Sequence, residues 1–327
     1  MREGALVKNR AAGDTSAGPG HVPVLLDEAI SALNVEPGGV YLDGTFGGGG
    51  HSRRILEASA PDGRLIAVDA DLAAIERARQ LRESLERPER LTVIHANLRA
   101  LDAVLREAGV ERLDGGLLDL GLSSYQLDTA ERGFSFRHDA PLDMRFDQST
   151  GPSAAELLDT LPEAEIADIL YRYGEEKRSR RIASAIVAAR SSGEPWTTGR
   201  LAALVERVVG RRPGGAIHPA TRTFQALRIA VNGELDAIEP ALNAITDRLR
   251  PGGRLVVIAF HSLEDRIVKR FIADASRTCV CPPEQPVCTC DASPRLRRVG
   301  KPVRPSDAEL EANVRSRSSI MRVAERL

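Results

Sequence analysis

The sequence is poor in aromatic residues, carries almost no net charge and has no long apolar run. Phe, Trp and Tyr make up 4% of its 327 residues, and the net charge at pH 7 is −1. A nucleic-acid partner would therefore need a local basic patch, because the global charge offers no attraction. No apolar run approaches the roughly 20 residues of a membrane span, and the N-terminus lacks the layout of a signal peptide. We expect a cytoplasmic protein without a membrane partner.

Two common nucleotide-binding patterns are also missing. A Walker loop requires Gly-Lys followed by Ser or Thr, and the glycine-rich stretch of this chain has no such continuation. The dinucleotide fingerprint Gly-x-Gly-x-x-Gly is incomplete, because Ser52 or Arg53 stands where the third glycine belongs. These absences exclude a P-loop and argue against a nicotinamide site.

Cysteine is scarce, and all four cysteines lie close together as two Cys-x-Cys pairs, Cys279 with Cys281 and Cys288 with Cys290. Disulfides are not expected in a reducing cytosol. Structural zinc more often uses Cys-x-x-Cys pairs, and prolines stiffen the loop between these two pairs. Reduced thiols without metal are therefore the main expectation, and a zinc site is the alternative.

The stretch from Tyr41 to His51 combines the end of an apolar strand with four consecutive glycines and the start of a helix. Glycine has no Cβ and tolerates positive φ, so the backbone of such a turn can pass close to a ligand. The helix N-terminus adds unpaired N–H donors and a partial positive charge. We expect a nucleotide-like cofactor there.

An acidic residue follows each of the first two predicted strands, Asp43 before the glycines and Asp69 about twenty residues after them. This layout is typical of an S-adenosylmethionine site, in which Asp69 would accept hydrogen bonds from the ribose hydroxyls. The cationic sulfonium would favour the carboxylates of Asp43 and Asp119. The alternative for Asp43 and Asp69 is N-capping of the following helices. Two such acids beside four glycines favour ligand binding over helix capping.

Strands and helices alternate along most of the chain, which predicts an α/β fold with a parallel sheet covered on both faces. The apolar runs predict strands at 40–42, 64–68, 91–94, 115–118, 254–260 and 318–324.

The alternation stops in the middle of the chain, where the pattern is helical only. Ser153-x-x-Glu156 and Thr160-x-x-Glu163 match the capping box of a helix start. We therefore divide the chain into a disordered tail (1–20), a discontinuous α/β domain (21–138 and 216–327) and an inserted all-helical domain (139–215).

Several motifs, in one order along nearly the whole chain, resemble the bacterial 16S ribosomal RNA cytosine-N4 methyltransferases, the RsmH or MraW family. The matching segments are His21-Val-Pro-Val-Leu-Leu-Asp-Glu28, Asp43-Gly-Thr-Phe-Gly-x-Gly-Gly-His51, Leu118-Asp-Leu-Gly-x-Ser-Ser-x-Gln-Leu-Asp128, Arg132-Gly-Phe-Ser-Phe136, Pro141-Leu-Asp-Met-Arg145, His218-Pro-Ala-Thr-Arg-Thr-Phe-Gln225, Phe260-His-Ser-Leu-Glu-Asp-Arg266 and Arg317-Ser-Ser319.

The resemblance implies a Rossmann-like class I methyltransferase sheet, with the inserted helical domain recognising the substrate and S-adenosylmethionine as methyl donor. The implied reaction methylates N4 of a decoding-centre cytosine in 16S rRNA of the small ribosomal subunit. Some relatives carry a bulkier aromatic residue at position 98, although a leucine can still pack on adenine. The implied cofactor-binding residues are Gly49, Gly50, His51, Asp69, Leu98, Asp119 and Gln126.

Asp119 is the candidate catalytic residue. It stands where many amino-methyltransferases begin an Asp/Asn/Ser-Pro-Pro-Tyr/Phe motif, but here the sequence is Asp119-Leu-Gly-Leu, without the prolines or the aromatic ring. We place Asp119 at the boundary of cofactor and substrate, and its acceptance of an N4 proton is a hypothesis.

The cytosine must be single-stranded or flipped out to be reached. Tyr125, Phe134 and Phe136 are candidates to stack on it, although packing of the loop against the sheet is the stronger expectation for Phe134 and Phe136. The expected phosphate contacts are Arg222, Arg228, Arg266, Lys269, Arg270 and the Arg295–Arg298 cluster.

Two other functions remain open. A DNA amino-methyltransferase is disfavoured by the missing Pro-Pro-Tyr element. An RNA-binding assembly factor held together by zinc would bind metal at the cysteines but no S-adenosylmethionine. The sequence does not fix the oligomeric state, for which a homodimer stays an option.

Overall fold

The computed structural model describes residues 23–210, 218–279, 281, 285, 287, 289–290 and 292–327. The predicted N-terminal tail, the first two residues of the His21 motif and Cys288 lie outside the described residues. No helix among those that are described is both long and apolar enough to cross a bilayer.

A seven-stranded sheet forms the centre of the described structure, with strand order β3-β2-β1-β4-β5-β7-β6. The strands β1 to β5 are mutually parallel, and β7 runs antiparallel to both β5 and β6. The strands are β1 (Val40–Asp43), β2 (Arg64–Asp69), β3 (Leu91–His95), β4 (Leu113–Asp119), β5 (Leu249–Ala259), β6 (Leu296–Arg298) and β7 (Ile320–Arg326). The order reverses direction between β1 and β4, and such a switch point is where parallel α/β sheets bind ligands. The predicted Rossmann-like α/β fold is confirmed.

Helices cover both faces of this sheet. They are α1 (Leu26–Leu33), α2 (Gly50–Ala58), α3 (Leu72–Ser84), α4 (Leu101–Glu107), α5 (Ser124–Asp128), α10 (Thr221–Asn232), α11 (Glu234–Arg248), α12 (Ser262–Ala275) and α13 (Asp307–Ala312), with α6 to α9 described below. Each face of the sheet has its own apolar core. Neighbouring residues of β1 belong to different cores, because successive side chains of a strand point to opposite faces. Tyr41 packs with α1, α2 and α3, whereas Leu42 packs with α4, α11 and α12.

A second layer is helical and lies between β4 and β5 in the chain. Its helices are α6 (Ala154–Thr160), α7 (Glu163–Gly174), α8 (Ser179–Arg190) and α9 (Thr198–Val209). They share an apolar core with Trp196 and with Phe134, which precedes the predicted insertion, and with Phe224 and Leu227 of α10, which follow it. The domain division at 138/139 and 215/216 stays a prediction.

Helix starts in this layer follow local side-chain chemistry. The Ser153 hydroxyl accepts a hydrogen bond from the Glu156 N–H, and the Glu156 carboxylate accepts one from the Ser153 N–H at 2.7 Å, so the first predicted capping box is confirmed. The second is wrong. Thr160 is the last residue of α6, and its hydroxyl donates to the Glu156 carbonyl, while Pro162 stands at the start of α7.

Pro251, Gly252 and Gly253 precede position 254, the predicted start of the fifth strand. These residues lie inside β5 as a bulge, because Leu113 pairs with Leu249 whereas Gly115 pairs with Arg254. The strand therefore begins five residues before its predicted start and still delivers Phe260 and the helix α12 to the carboxyl edge of the sheet.

Candidate active site

A cavity opens at the carboxyl ends of the parallel strands, where the strand order reverses. The structure brings all seven residues predicted to bind cofactor to its wall: Gly49, Gly50, His51, Asp69, Leu98, Asp119 and Gln126. Their positions follow from the topology, because the carboxyl ends of parallel strands meet at one edge of a sheet. Contact between these residues and a cofactor stays a prediction.

The glycine turn forms one wall of the cavity. Gly49 has φ 78°, and a Cβ there would lie 2.5 Å from Cζ of Phe46. A Cβ at Gly50, where α2 begins, would lie 2.1 Å from Pro23. Side chains are therefore excluded from the turn by sterics as well as by φ. The resulting backbone cradle fits a ligand that must approach the first turn of α2 closely.

Asp69 fixes this turn to the end of β2. Its Oδ2 accepts a hydrogen bond from the Gly47 N–H and its Oδ1 accepts one from the Asp71 N–H, both at 2.8 Å. Burial raises the pKa of Asp69 to about 6, although these two N–H groups stabilise the carboxylate. The helix cap that Asp69 was alternatively expected to provide comes from Asp71, whose carboxylate accepts from the Ala73 N–H. Asp69 is thus left on the cavity wall with lone pairs for a hydroxyl donor.

The expectation for Asp43 is wrong. Asp43 is buried behind the turn and is absent from the cavity wall. Its carboxylate accepts hydrogen bonds from the Thr45 N–H at 3.1 Å and from the Ser52 hydroxyl at 2.7 Å. It therefore holds the turn against α2 and does not face a sulfonium.

Asp119 ends β4 and faces the cavity, with 23% of its side chain exposed. Its N–H donates to Oγ1 of Thr45 at 2.6 Å, which ties the ends of β4 and β1 together. Burial raises the pKa of Asp119 to about 7, against the hydrogen bond from the Gly121 N–H, and the nearby Glu264 carboxylate adds to the rise. The carboxyl group therefore changes charge close to neutral pH.

His51 lies beside this carboxyl group, with 3.8 Å between its Nδ1 and Oδ2 of Asp119. Burial lowers the pKa of His51, against the attraction of the Asp43 carboxylate. At the end of β4 the cavity wall therefore carries a neutral imidazole next to a carboxyl group of raised pKa. Both groups can take up or release a proton there.

Leu98 and Gln126 lie on the wall in different ways. Leu98 is partly exposed just past the end of β3 and offers an apolar surface. The Gln126 side chain is committed to the protein, because its Oε1 accepts from the Ser123 N–H in a capping box and its Nε2 donates to Asp71 at 2.9 Å. Gln126 therefore shapes the loop after β4, and its amide keeps one N–H and one lone pair beyond these two bonds, so its predicted contact with the cofactor stays a prediction.

The three aromatic candidates separate clearly. Tyr125 is 42% exposed at the cavity wall, with the Arg77 guanidinium 4.3 Å from its ring centroid. Phe134 is buried in the helical core, and Phe136 packs edge-on against Phe224 at 4.9 Å. The two phenylalanines pack in the core as expected, but their partners are in the helical layer and not in the sheet. Tyr125 is the one of the three rings that remains accessible.

Sequence reasoning assigned no role to two acids that also line the cavity, the buried Glu264 and Glu234, whose side chain is 10% exposed. Arg228 joins them, because its Nη2 lies 2.8 Å from Oε2 of Glu234 and 3.9 Å from Oε1 of Glu264. The expectation that Arg228 contacts phosphate is therefore wrong. The signal for Glu264 was present in the Phe260-His-Ser-Leu-Glu motif, which follows β5 as the acidic residues follow β1, β2 and β4.

Among the other expected phosphate contacts, Arg222 lies on α10, where its guanidinium donates to the Glu175 carbonyl at 3.3 Å. The rest lie on α12 and in or next to β6. Arg266 is 3.5 Å from Glu175, Arg295 pairs with Asp247, and Arg297 pairs with Glu325. Within the described chain, Lys269 and Arg270 are exposed and make no ion pair. The cysteines lie nearby, and the sulfurs of Cys279, Cys281 and Cys290 are all within 4.8 Å of one another.

A family model described as the MraW methylase family matches residues 19–327. The ribosomal RNA small subunit methyltransferase H of Thermomicrobium roseum is 54% identical over 308 residues, covering 94% of each chain. The protein of the same name from Aromatoleum aromaticum is 54% identical over 312 residues, covering 95% of this chain and 98% of that one. The alignment with the crystal structure of a putative rRNA methylase from Clostridium thermocellum covers 94% of this chain and 100% of that one, at 12% identity and a TM-score of 0.43.

The family match spans the glycine turn, the Asp119 loop, the helical layer and the strands β5 to β7, and the two relatives align over nearly their full length. The chain belongs to the MraW methylase family.

Proposed function

We propose that this protein transfers a methyl group from S-adenosylmethionine to N4 of a decoding-centre cytosine in 16S rRNA of the small ribosomal subunit. The observation that carries the proposal is the cavity at the switch point, where the glycine cradle and Asp69 lie beside Asp119. The names of the two relatives support a small-subunit rRNA substrate. Such a substrate is made in the bacterial cytoplasm, where we place the protein.

In this proposal residues at the carboxyl ends of β1, β2 and β3 would hold the cofactor. Asp69 would accept hydrogen bonds from the ribose hydroxyls, and Leu98 would offer an apolar surface to the adenine ring. Gly49 and Gly50 leave room for the methionine part, and His51 closes the cavity beside Asp119. When bound, S-adenosylmethionine supplies an electrophilic methyl group on a sulfonium.

The amine of cytosine is a poor nucleophile, because its lone pair is delocalised into the ring. The chain therefore has to hold N4 in line with the methyl group and stabilise the positive charge that develops on the nitrogen. The ionised Asp119 carboxylate can do both, since it would accept a hydrogen bond from an N4 proton and would take that proton when the N4–carbon bond forms and the sulfur–methyl bond breaks, leaving a neutral thioether. Its pKa near 7 suits this exchange with solvent at neutral pH.

Glu264 influences the charge of this carboxyl group from the end of β5, and Arg228 lies beside Glu264. Glu264 is 1% exposed, and its Oε2 accepts a hydrogen bond from the Phe260 N–H at 2.7 Å at the end of β5. Its negative charge helps to raise the pKa of Asp119, and Arg228 limits that effect by pairing with both Glu234 and Glu264. We propose that Tyr125 stacks on the flipped cytosine at the mouth of the cavity.

The RNA backbone would lie along a basic groove formed by α12, β6 and the segment after it. Lys269, Arg298 and Lys301 line this groove and are exposed, with no ion pair to any other described residue. Arg297 and Arg322 also line it but are paired with Glu325 and Asp265. The three unpaired cations supply the local patch that a chain of net charge −1 needs. We further propose that the helical segment 139–215 contributes to substrate recognition.

The test is a methyl-transfer assay with labelled S-adenosylmethionine on three substrates: isolated small subunits, protein-free 16S rRNA and duplex DNA. We expect label in the RNA of at least one ribosomal substrate, N4-methylcytidine after nuclease digestion, and none in DNA. Label on a carbon or ribose atom, or preferential methylation of DNA, would contradict the proposal. Light scattering on the same sample measures the oligomeric state, including the homodimer.

A further inference from the structure

Three cysteines come together in the segment between α12 and β6. The sulfurs of Cys279, Cys281 and Cys290 lie within 4.8 Å of one another, although Cys279 and Cys290 are eleven residues apart in the chain. The established family membership and the methyl-transfer cavity assign no role to them, and the cavity wall does not include them. A cluster of three thiols drawn from two separate pairs therefore requires its own explanation.

The distances agree with metal ligation better than with a disulfide. The sulfur atoms of Cys279 and Cys290 are 3.9 Å apart. Two thiolates bound about 2.3 Å from a tetrahedral zinc ion lie about 3.8 Å from each other, whereas a disulfide holds its sulfurs about 2.05 Å apart. The cluster thus has the spacing of a shared ligand set.

The backbone around the cluster also suits thiolates. The Cys281 N–H lies 3.4 Å from Sγ of Cys279 and donates a hydrogen bond to it. N–H groups directed at ligand sulfurs stabilise their negative charge and orient them, which is what the surroundings of a bound metal do for its ligands.

The cluster lies at the end of a segment whose base is closed. The Arg295 N–H donates to the Ala275 carbonyl at 2.8 Å, and the Arg295 guanidinium reaches Asp247 and Asn243 on α11. Thr278 and Pro294, on either side of the cluster, line the same groove as Lys269 and Arg298. A crosslink at the cysteines would therefore hold one side of the basic groove in place.

We propose that Cys279, Cys281 and Cys290 bind one Zn²⁺ as thiolates, and that this structural zinc holds the segment between α12 and β6 in place beside the basic groove. Zinc is preferred over harder cations because thiolates are soft ligands and because reduced thiols persist where disulfides do not. The fourth coordination position is not assigned by the described residues, and Cys288 lies outside them. The metal site is independent of the methyl-transfer proposal.

The test measures metal in the full-length protein, purified without an affinity tag in the presence of reductant after zinc is supplied. Elemental analysis should find about one zinc per chain, and the Cys279→Ser/Cys290→Ser double variant should lose most of it. Val287→Ala is the matched control, because Val287 lies in the same segment and its side chain is 68% exposed. Cobalt substitution should give a thiolate-to-cobalt charge-transfer band in the wild type and in Val287→Ala, but not in the double variant.

A second measurement on the wild type alone covers the case in which the double variant does not fold. Thiol reagents should react slowly with the native protein and at least tenfold faster after a zinc chelator is added. The proposal is overturned by a wild type that holds no zinc after reconstitution, by iron in place of zinc, by equal zinc in the double variant, or by thiol reactivity that the chelator does not change. Because none of these readouts depends on methyl transfer, they stay separate from a failure of the proposed function.

Discussion

The cavity has two halves, and they differ in whether backbone or side chains form their walls. The cofactor half, comprising the turn 47–51, Asp69 and Leu98, is formed largely by backbone, and its acid is held by two N–H groups of neighbouring turns. The substrate half, comprising Asp119, Glu234, Glu264 and Tyr125, is formed by side chains from segments far apart in the chain, and its acids sit beside one another under partial burial.

The difference has a physical consequence. Backbone N–H groups fix a carboxylate without changing their own charge, so the cofactor half is preorganised for binding. Burial, with a smaller contribution from the Glu264 carboxylate, raises the pKa of Asp119 to about 7, so the substrate half changes protonation near neutral pH. Binding energy should therefore depend mainly on the first half and the rate of methyl transfer mainly on the second.

The largest effect should come from Asp119→Asn. An amide cannot take the N4 proton, and positioned acid–base groups contribute about 10²- to 10⁴-fold to a rate, so we expect kcat to fall by at least about 100-fold. Cofactor affinity should change by only a few-fold, since Asp119 lies at the edge of the cofactor half. Single-turnover kinetics and calorimetry with S-adenosylhomocysteine measure the two quantities separately.

The matched control is Glu239→Gln, which removes one exposed carboxylate from α11 outside the cavity and should leave both quantities unchanged. A variant Asp119→Asn with normal turnover would remove the proton-acceptor role.

Asp69→Asn should reverse this pattern. An amide NH₂ cannot accept a hydrogen bond, so either the Gly47 N–H or the Asp71 N–H loses its partner and the ribose loses a charged acceptor. The unpaired N–H lowers the stability of the turn, whereas the lost hydrogen bond between the ribose and a charged acceptor, about 1.5–3 kcal/mol, predicts a cofactor Kd that is roughly ten- to a hundredfold weaker. At saturating cofactor, kcat should stay within a few-fold of wild type. Equal losses in affinity and in kcat would break the division of the cavity into two halves.

The part of the site that the sequence predicts best is the cofactor half. Its residues form a contiguous turn or follow a strand directly, so the strand pattern and the glycines place them at one edge of the sheet. The glycine turn, Asp69 and Asp119 were placed correctly for this reason.

The partners that buried charges find in the folded chain explain two of the errors. Arg228 looked like a surface cation, but the fold pairs it with Glu234 and brings it near Glu264, which is thirty-six residues away. Asp43 has the sequence context of a ligand group, but in the fold its oxygens accept hydrogen bonds from Ser52 and Thr45. Local patterns do not report which buried partner a charge will find, and that information arises only when the sheet edges and helices meet.

The pH dependence of the rate and of cofactor binding should also distinguish the two halves, with smaller effects than the substitutions. Both carboxyl groups must be ionised to act, and burial raises the pKa of Asp69 to about 6 and that of Asp119 to about 7. As pH falls, kcat/KM should therefore decline through pH 7, by about tenfold between pH 8 and pH 6 for a single group. The affinity for cofactor should decline through a lower pH, near 6. Asp119→Asn should remove the upper transition from the rate profile and leave the lower one in the binding profile, and a profile unchanged by that substitution would assign the upper transition to another group.

The smallest effect concerns the mouth of the substrate half. Tyr125 is 42% exposed, and its ring contacts the Arg77 guanidinium, so replacing it should disturb the fold little. Stacking of a base on an aromatic ring contributes about 1–3 kcal/mol, and the lower bound predicts an RNA KM about fivefold higher in Tyr125→Leu. Tyr125→Phe keeps the ring and should retain the wild-type KM, while cofactor affinity should be the same in both variants. A phenylalanine variant as impaired as the leucine variant would show that the hydroxyl, and not the ring face, is what the substrate half uses at this position.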